Sequence, residues 1–470
     1  MKLTVIWLLL GLGTAFLARA QPALRAGAAT MDITPAIGTV MNGGIGPVPS
    51  THVHDELLAR CLVLDDGTNR LAFIVLDNCL VDRAFFDDAK RRIQAATGLA
   101  PRSLSLSTTH THSAGAVIGV HLTEPDEAYR AWLPGRLVDA VKRALNNLAP
   151  AELAWGRGEV PQHVFCRRIL VKPGITYTNQ LGGLVDRAKM NWSSPQPEDD
   201  AVSGPVDPEV SFLSVRHADG RPLALLANYS LHYVGGTGTG HLSADYYGVF
   251  CARMAELLGG EKQDPPFVAL MSNGTSGDIN NVDFRKGSEP KPPYAQIRLV
   301  ADDVAREVHR AMDGLAYRRE VPLRSAAAEL RLANRKPTAA QVERARAIVH
   351  GRPPAQLGGF IENFARETLL VADLPDEDVL PLQVFRIGDL AIAQWPGEIF
   401  AVSGLELKAR SPVRPLFNIG MANGWSGYIP PPGQHALGAY ETFLGRTSHL
   451  ETNATVKLTD TFLELLTKLR

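Results

Sequence analysis

Apolar and polar positions along this chain switch repeatedly between the period of a strand and that of a helix. Ala26 to Val40 contains Asp32-Ile33-Thr34-Pro35 and reads as an extended segment that ends at the proline. Leu57 to Asp65 and Leu71 to Asp77 are apolar runs parted by Asp66-Gly67-Thr68-Asn69, the pattern of a strand hairpin. From Phe85 to Thr97 the spacing is helical, and Gly98 is placed as its C-cap. Leu104 to Ser107 is a short strand running into Thr108-Thr109-His110-Thr111-His112-Ser113. Asp126 to Leu148 is a long amphipathic helix with Pro150 just beyond it.

The second half repeats this mixture. Val210 to Arg216 and Pro222 to Leu231 form an apolar pair around Asp219-Gly220, and helices are expected over Asp245 to Leu258 and Ile297 to Met312. Phe267 to Ser272 and Leu390 to Gln394 are short apolar strands, each ending in a polar, Gly-containing motif. Residues 183–208, rich in Pro and acidic groups, read as a long polar loop, and residues 336–371 as a polar, Arg-rich helical insertion. No internal repeat is visible. The alternation predicts one mixed α/β domain with elaborated loops, which in a compact domain usually shape a site.

Composition narrows the function. The 470 residues are 45% hydrophobic and 21% charged, with 48 Lys plus Arg against 49 Asp plus Glu. A formal charge of −1 offers no footprint for nucleic acid and no general attraction to anionic membranes. Residues 1–20 read as a cleaved signal peptide: Lys2, an apolar stretch from Leu3 to Phe16, and Ala18-Arg19-Ala20 before Gln21. An uncleaved anchor is the alternative. Cleavage removes two cations and no acid, leaving −3 and a chain from about Gln21 expected to be soluble, secreted or periplasmic, with at most peripheral membrane contact. Cys61, Cys79, Cys166 and Cys251 have no CxxC spacing and are expected to be buried free thiols. Oligomeric state is left open.

Candidate chemistry collects where apolar strands end. In an extended segment side chains alternate, so His110 and His112 are expected on one face, as a metal site or as a hydrogen-bonded structural pair. Leu223 to Leu231 leads into His232-Tyr233 and the Gly-rich stretch 235–240, followed by Ser243-Ala244-Asp245-Tyr246-Tyr247-Gly248. Glu398 follows Pro396-Gly397 and is either held rigid or solvated on a loop. Asn273-Gly274-Thr275-Ser276-Gly277-Asp278-Ile279-Asn280-Asn281 either exposes N–H groups to an oxyanion or is a plain capped turn.

Taken in order, Asp-Ile-Thr-Pro, Thr-His-Thr-His-Ser, the His232 strand with its Ser-x-Asp-x-x-Gly follower, Gly-Asp-Ile, Pro-Gly-Glu, and Gly427-Tyr428-Ile429 with Tyr440-Glu441 span nearly the whole chain beyond the leader. With these six motifs the chain resembles the neutral (non-lysosomal, alkaline) ceramidase family, zinc-dependent amidohydrolases that cleave the N-acyl bond of ceramide. The resemblance implies one Zn²⁺ per chain, held by His110, His232, Glu398 and Tyr428. It implies catalytic roles for His112, which faces substrate and moves protons, and for Tyr440. It also implies an arginine from an Asn-Arg-Ser motif. Here the nearest match is Cys166-Arg167-Arg168, which makes Arg167 the candidate. Such a zinc centre polarises an amide carbonyl and makes water nucleophilic near neutral pH.

Two departures from the family pattern bear on substrate. Asn280 stands where the family's Gly-Asp-Val-Ser-Pro-Asn motif supplies a serine; an amide cannot be a nucleophile but can donate a hydrogen bond. Ceramidases also carry a C-terminal β-sandwich, whereas this sequence ends about thirty residues after Tyr440, so a catalytic domain over 21–470 without that sandwich is expected. The leading expectation is hydrolysis of an N-acyl bond, with ceramide or a related N-acyl lipid as substrate. The alternatives are a zinc hydrolase acting on a non-sphingolipid amide or ester, and a catalytically silent binding protein.

Overall fold

The computed structural model describes residues 23–190, 195–286 and 289–470. The expected signal peptide therefore lies outside the described residues. The main element is an eight-stranded sheet, in the order Val268–Asn273, Pro222–Tyr229, Glu209–His217, Ala149–Glu159, Arg25–Asp32, Leu58–Asp65, Arg70–Leu76, Leu104–Thr108. Interior pairings are antiparallel, and each edge strand runs parallel to its neighbour. A second sheet orders Leu323–Ala333, Glu377–Ile387, Leu390–Gln394 and Leu416–Ile419.

Alternation along the strands builds layers. Cys61 and Val63, Ala72 and Ile74, and Leu104 and Leu106 face the helices Arg83–Thr97 and Glu127–Asn146. The intervening Leu62, Leu64, Phe73 and Val75 pack instead on Phe385, Ile392, Phe417 and Ile419 of the second sheet. Leu225 and Ala269 meet the helices Asp245–Leu258 and Ala295–Ala311, while Leu226 and Leu270 join the inter-sheet core. The outer face of the second sheet is covered by the C-terminal helix Ala454–Lys468. The result is helix, sheet, sheet, helix. Strands buried on both faces read as continuous apolar runs, which is why they are visible in the sequence.

The helix over Arg83–Thr97 ends at Gly98 in the left-handed conformation, as expected. The four cysteines are free and buried. Within 336–371 the structure has two helices, Ala339–Val349, opened by a Thr338/Gln341 capping box, and Phe360–Ala372. Residues 183–208 depart from expectation. They are not one long loop: Leu184–Asp186 pairs with Tyr177–Thr178, and Ala188–Met190 and Asp199–Val202 flank Arg168–Val171. Strands this short lack room for a periodic signal, and their pairing comes from the partner backbone. No described helix is long and apolar enough to cross a membrane.

Candidate metal centre and catalytic cavity

The large sheet brings its two edges together. Asn273, ending one edge strand, donates through Nδ2 to the carbonyl of Thr109, just past the other, at 3.1 Å. His110 and His112 leave that second edge, but not as an extended strand. His110 sits at φ 74°, the left-handed region that non-glycine residues seldom occupy. The bend is fixed by bonds from the Thr109 and His110 amides to the carbonyls of Leu76 and Asn78, both at 2.9 Å. The two imidazoles converge all the same, with Nε2 atoms 3.1 Å apart.

Backbone carbonyls set the ring tautomers. His110 Nδ1 lies 3.1 Å from the Cys79 carbonyl, and His232 Nδ1 lies 3.1 Å from that of Ser276. A carbonyl only accepts, so each Nδ1 carries the proton and each Nε2 turns its lone pair inward. Those two Nε2 atoms face each other at 2.9 Å, and Glu398 Oε2 stands 3.4 Å and 3.7 Å from them. Ligands on a tetrahedral zinc at about 2.05 Å are separated by about 3.3 Å, so the triangle has the right size. Glu398 Oε1 accepts from Trp425 Nε1 at 2.9 Å, but Oε2 is buried with no hydrogen-bond partner. Two lone pairs and an orphaned carboxylate oxygen converging in a buried space are the donor set of a divalent cation, and these residues fit zinc. Burial works against charge on His110, yet the Glu398 carboxylate lifts its pKa to about 10: the carboxylate calls for one positive charge in this pocket, which a cation on Nε2 would supply in place of a proton.

Tyr428 pairs with Glu398 along two short parallel strands, and its hydroxyl accepts from Arg167 Nη2 at 3.0 Å. Arg167 and Arg168 diverge. Arg167 Nε donates to Glu441 Oε1 at 2.9 Å and its side chain lines the cavity, whereas Arg168 points away to Glu441 Oε2, Gln434 and the Gly438 carbonyl. The cavity measures about 530 Å³ and is lined by His112, Arg167, His232, Asn280, Tyr428 and Tyr440, with Gly43, Gly44, Ile45, Met190, Tyr233 and Phe284. His110 and Glu398 are buried beside His232 and Tyr428. All eight residues singled out from the sequence thus meet in one place.

Around them stand Glu441, Tyr233 and Cys79, to which the sequence reading gave no role in the site. Buried Glu441 bridges both arginines, one carboxylate oxygen to each, and His112 lies flat on Tyr233, ring centroids 3.7 Å apart. Burial, with His110 and Arg167 nearby, holds His112 well below the usual histidine range, so it is a neutral base. Cys79 lies against His110, where burial raises its pKa and keeps it a thiol. Asn280 pairs with Phe165 at the cavity wall, its Oδ1 accepting from the Asn281 amide at 2.7 Å.

Residues 24–285 match the family model described as neutral/alkaline non-lysosomal ceramidase, N-terminal. The chain belongs to this family. A neutral ceramidase of Pseudomonas aeruginosa is 22% identical over 451 residues, covering 83% of this chain. The chain spans 64% of that relative's length. The crystal structure of neutral ceramidase from Pseudomonas aeruginosa superposes with a TM-score of 0.70 at 19% identity, covering 95% of this chain and 74% of that one. A ceramidase complexed with C2 gives 0.70 at 17% identity, covering 96% and 75%. Likeness at this identity shows a shared mixed α/β fold.

Proposed function

We propose that this protein is an exported, zinc-dependent hydrolase that cleaves an N-acyl bond, with ceramide or a related N-acyl lipid as its leading substrate. One observation carries the reading: the unpartnered Glu398 Oε2 faces two Nε2 lone pairs whose tautomers the backbone has already fixed. His110, His232 and Glu398, with the Tyr428 hydroxyl beside them, would hold one zinc ion. When bound, that ion polarises the amide carbonyl and makes water nucleophilic near neutral pH.

The remaining work falls to the chain. His112, neutral and held on Tyr233, takes a proton from the attacking water and returns it to the departing nitrogen as the C–N bond breaks. Tyr440 and the Asn280 amide face the same cavity as donors for the developing oxyanion. Arg167, tied to Glu441 and Tyr428, supplies a fixed positive charge. Asn280 in the place of the family serine favours a second reading, the same chemistry on a non-sphingolipid amide or ester.

The test is a hydrolysis screen of the purified protein on ceramides, other N-acyl amides and simple esters, alongside elemental analysis. About one zinc per chain is expected, lost with all activity in His110→Ala and His232→Ala. Well-folded protein without metal, or variants that keep it, would overturn the assignment.

A further inference from the structure

His121 lies beyond the groups just assigned and matches none of the motifs above. It occupies a tight turn in which Val120 and Thr123 exchange amide-to-carbonyl bonds at 3.1 Å, and its φ of 55° is left-handed. Such a position persists only where its surroundings hold it. Here Arg446 Nη2 donates to the His121 carbonyl at 3.1 Å, Arg366 donates to the same oxygen, and buried Glu367 anchors Arg446. His121 is buried, 5% exposed. Its Nε2 is 3.1 Å from the Tyr440 hydroxyl, and its Nδ1 is 2.9 Å from Nδ2 of Asn363.

Asn363 and Glu367 lie one turn apart on the helix Phe360–Ala372, part of the insertion to which the sequence assigned no role. The direction of the chain of bonds follows from hydrogen-bond capacity. With Nδ2 toward the ring, Asn363 leaves only its carbonyl oxygen unpaired in the interior, as observed. The reverse orientation would bury an unpaired NH₂, and orphaned donors are rarer than under-satisfied carbonyls. His121 Nδ1 is therefore the acceptor, and the proton of the neutral ring sits on Nε2, aimed at Tyr440. Burial lowers the His121 pKa; Glu367 pulls it the other way and Arg446 lowers it again, with the net shift toward the neutral form.

We infer that His121 is a positioning residue for Tyr440: by donating to the tyrosine oxygen it directs the hydroxyl's own proton into the cavity, toward the carbonyl oxygen of the scissile amide. The inference rests on the hydrolase reading above. A hydroxyl that accepts from the imidazole keeps its one proton to give, and Tyr440 faces the cavity. The helical insertion thereby reaches the reaction through three residues, Asn363, His121 and Tyr440, without touching substrate.

Two measurements test this on the whole protein. Long-range ¹⁵N–¹H spectra of the histidine rings, with the His121 signal assigned by its loss in His121→Gln, should show a neutral Nε2–H tautomer at pH 7. An Nδ1–H tautomer or an imidazolium there refutes the polarity. The second is a double-mutant cycle on the best substrate of the screen. His121→Phe should lower kcat about tenfold, the worth of one hydrogen bond, with KM within about twofold. In a Tyr440→Phe background the same change should cost nothing more, and His121→Gln, whose amide donates, should recover part of the loss. Additive losses in the double variant would overturn the proposal. Should His121→Phe fail to fold, as its thermal melt would reveal, Asn363→Leu removes the same anchor from the helix side. If no substrate is hydrolysed at all, the hydrolase reading falls, and the tautomer spectrum still decides the direction of the bonds.

Discussion

Gly43 shows how a single position governs the chemistry without bearing any. Its φ is +121°, and a Cβ there would come within 2.5 Å of the His112 side chain. Gly43→Ala should therefore displace His112 while leaving His110, His232 and Glu398, the proposed zinc ligands, in place. The expected outcome is kcat at least about tenfold lower with the metal content unchanged, read by kinetics and elemental analysis. Asn280 tests a different group. Losing one oxyanion donor typically costs about 10²–10³ in turnover, so Asn280→Ala should be impaired but measurable and Asn280→Ser should stay substantially active. An acyl-enzyme trapped during turnover would sink this water-attack mechanism. At this scale the sequence exposes residues that form motifs, such as His110 with His112 or Pro-Gly-Glu. Gly43 and His121 gain their roles only from what the fold sets opposite them, and no spacing announces that. Even His110 reaches its place by a left-handed bend rather than by strand alternation.

Elements are legible where burial on both faces or a cap leaves a periodic mark. The helix Arg83–Thr97 is one, yet it carries a cost that periodicity conceals, since Lys90 on its buried face is 7% exposed. Burial, only partly offset by Asp87, lowers the pKa of its ammonium from 10.5 to about 8. Below pH 8 the group is charged in both folded and unfolded chains, and the fold bears the full desolvation penalty, about 3 kcal/mol. Between pH 8 and 10.5 the unfolded chain binds more protons, so stability rises with pH. Lys90→Met should accordingly stabilise the protein most at pH 7 and progressively less toward pH 10, as denaturant unfolding at several pH values would report. An equal gain at every pH would mean that charge is not the cause. The pairings within 183–208 were not legible for the opposite reason: two- to four-residue strands are too short to show a period and take their conformation from the strands they pair with.

Across the whole molecule, the mixed α/β class follows from the alternation of periods, but the meeting of the two sheet edges does not. That closure depends on twist and on contacts such as Asn273 with Thr109, which no local pattern encodes. It has a thermodynamic consequence. His110 and His232 leave strands of the eight-stranded sheet, while Glu398 follows the strand Leu390–Gln394 of the second sheet, so one ion would tie the two sheets together. In the unfolded chain these ligands are more than a hundred residues apart and form no site. Binding to the folded state alone stabilises it by RT ln(1 + [L]/Kd), about 4 kcal/mol when free zinc exceeds Kd a thousandfold. Removing zinc with a chelator should lower the melting temperature by several degrees, and adding it back should restore the loss. His110→Ala should melt at one temperature with or without the ion. Because Asn280 holds no metal in this scheme, Asn280→Ala should respond to zinc as the unmodified protein does. A folded protein whose melting temperature ignores both chelator and zinc would show that the sheets dock unaided and that the His110, His232 and Glu398 cluster binds no metal.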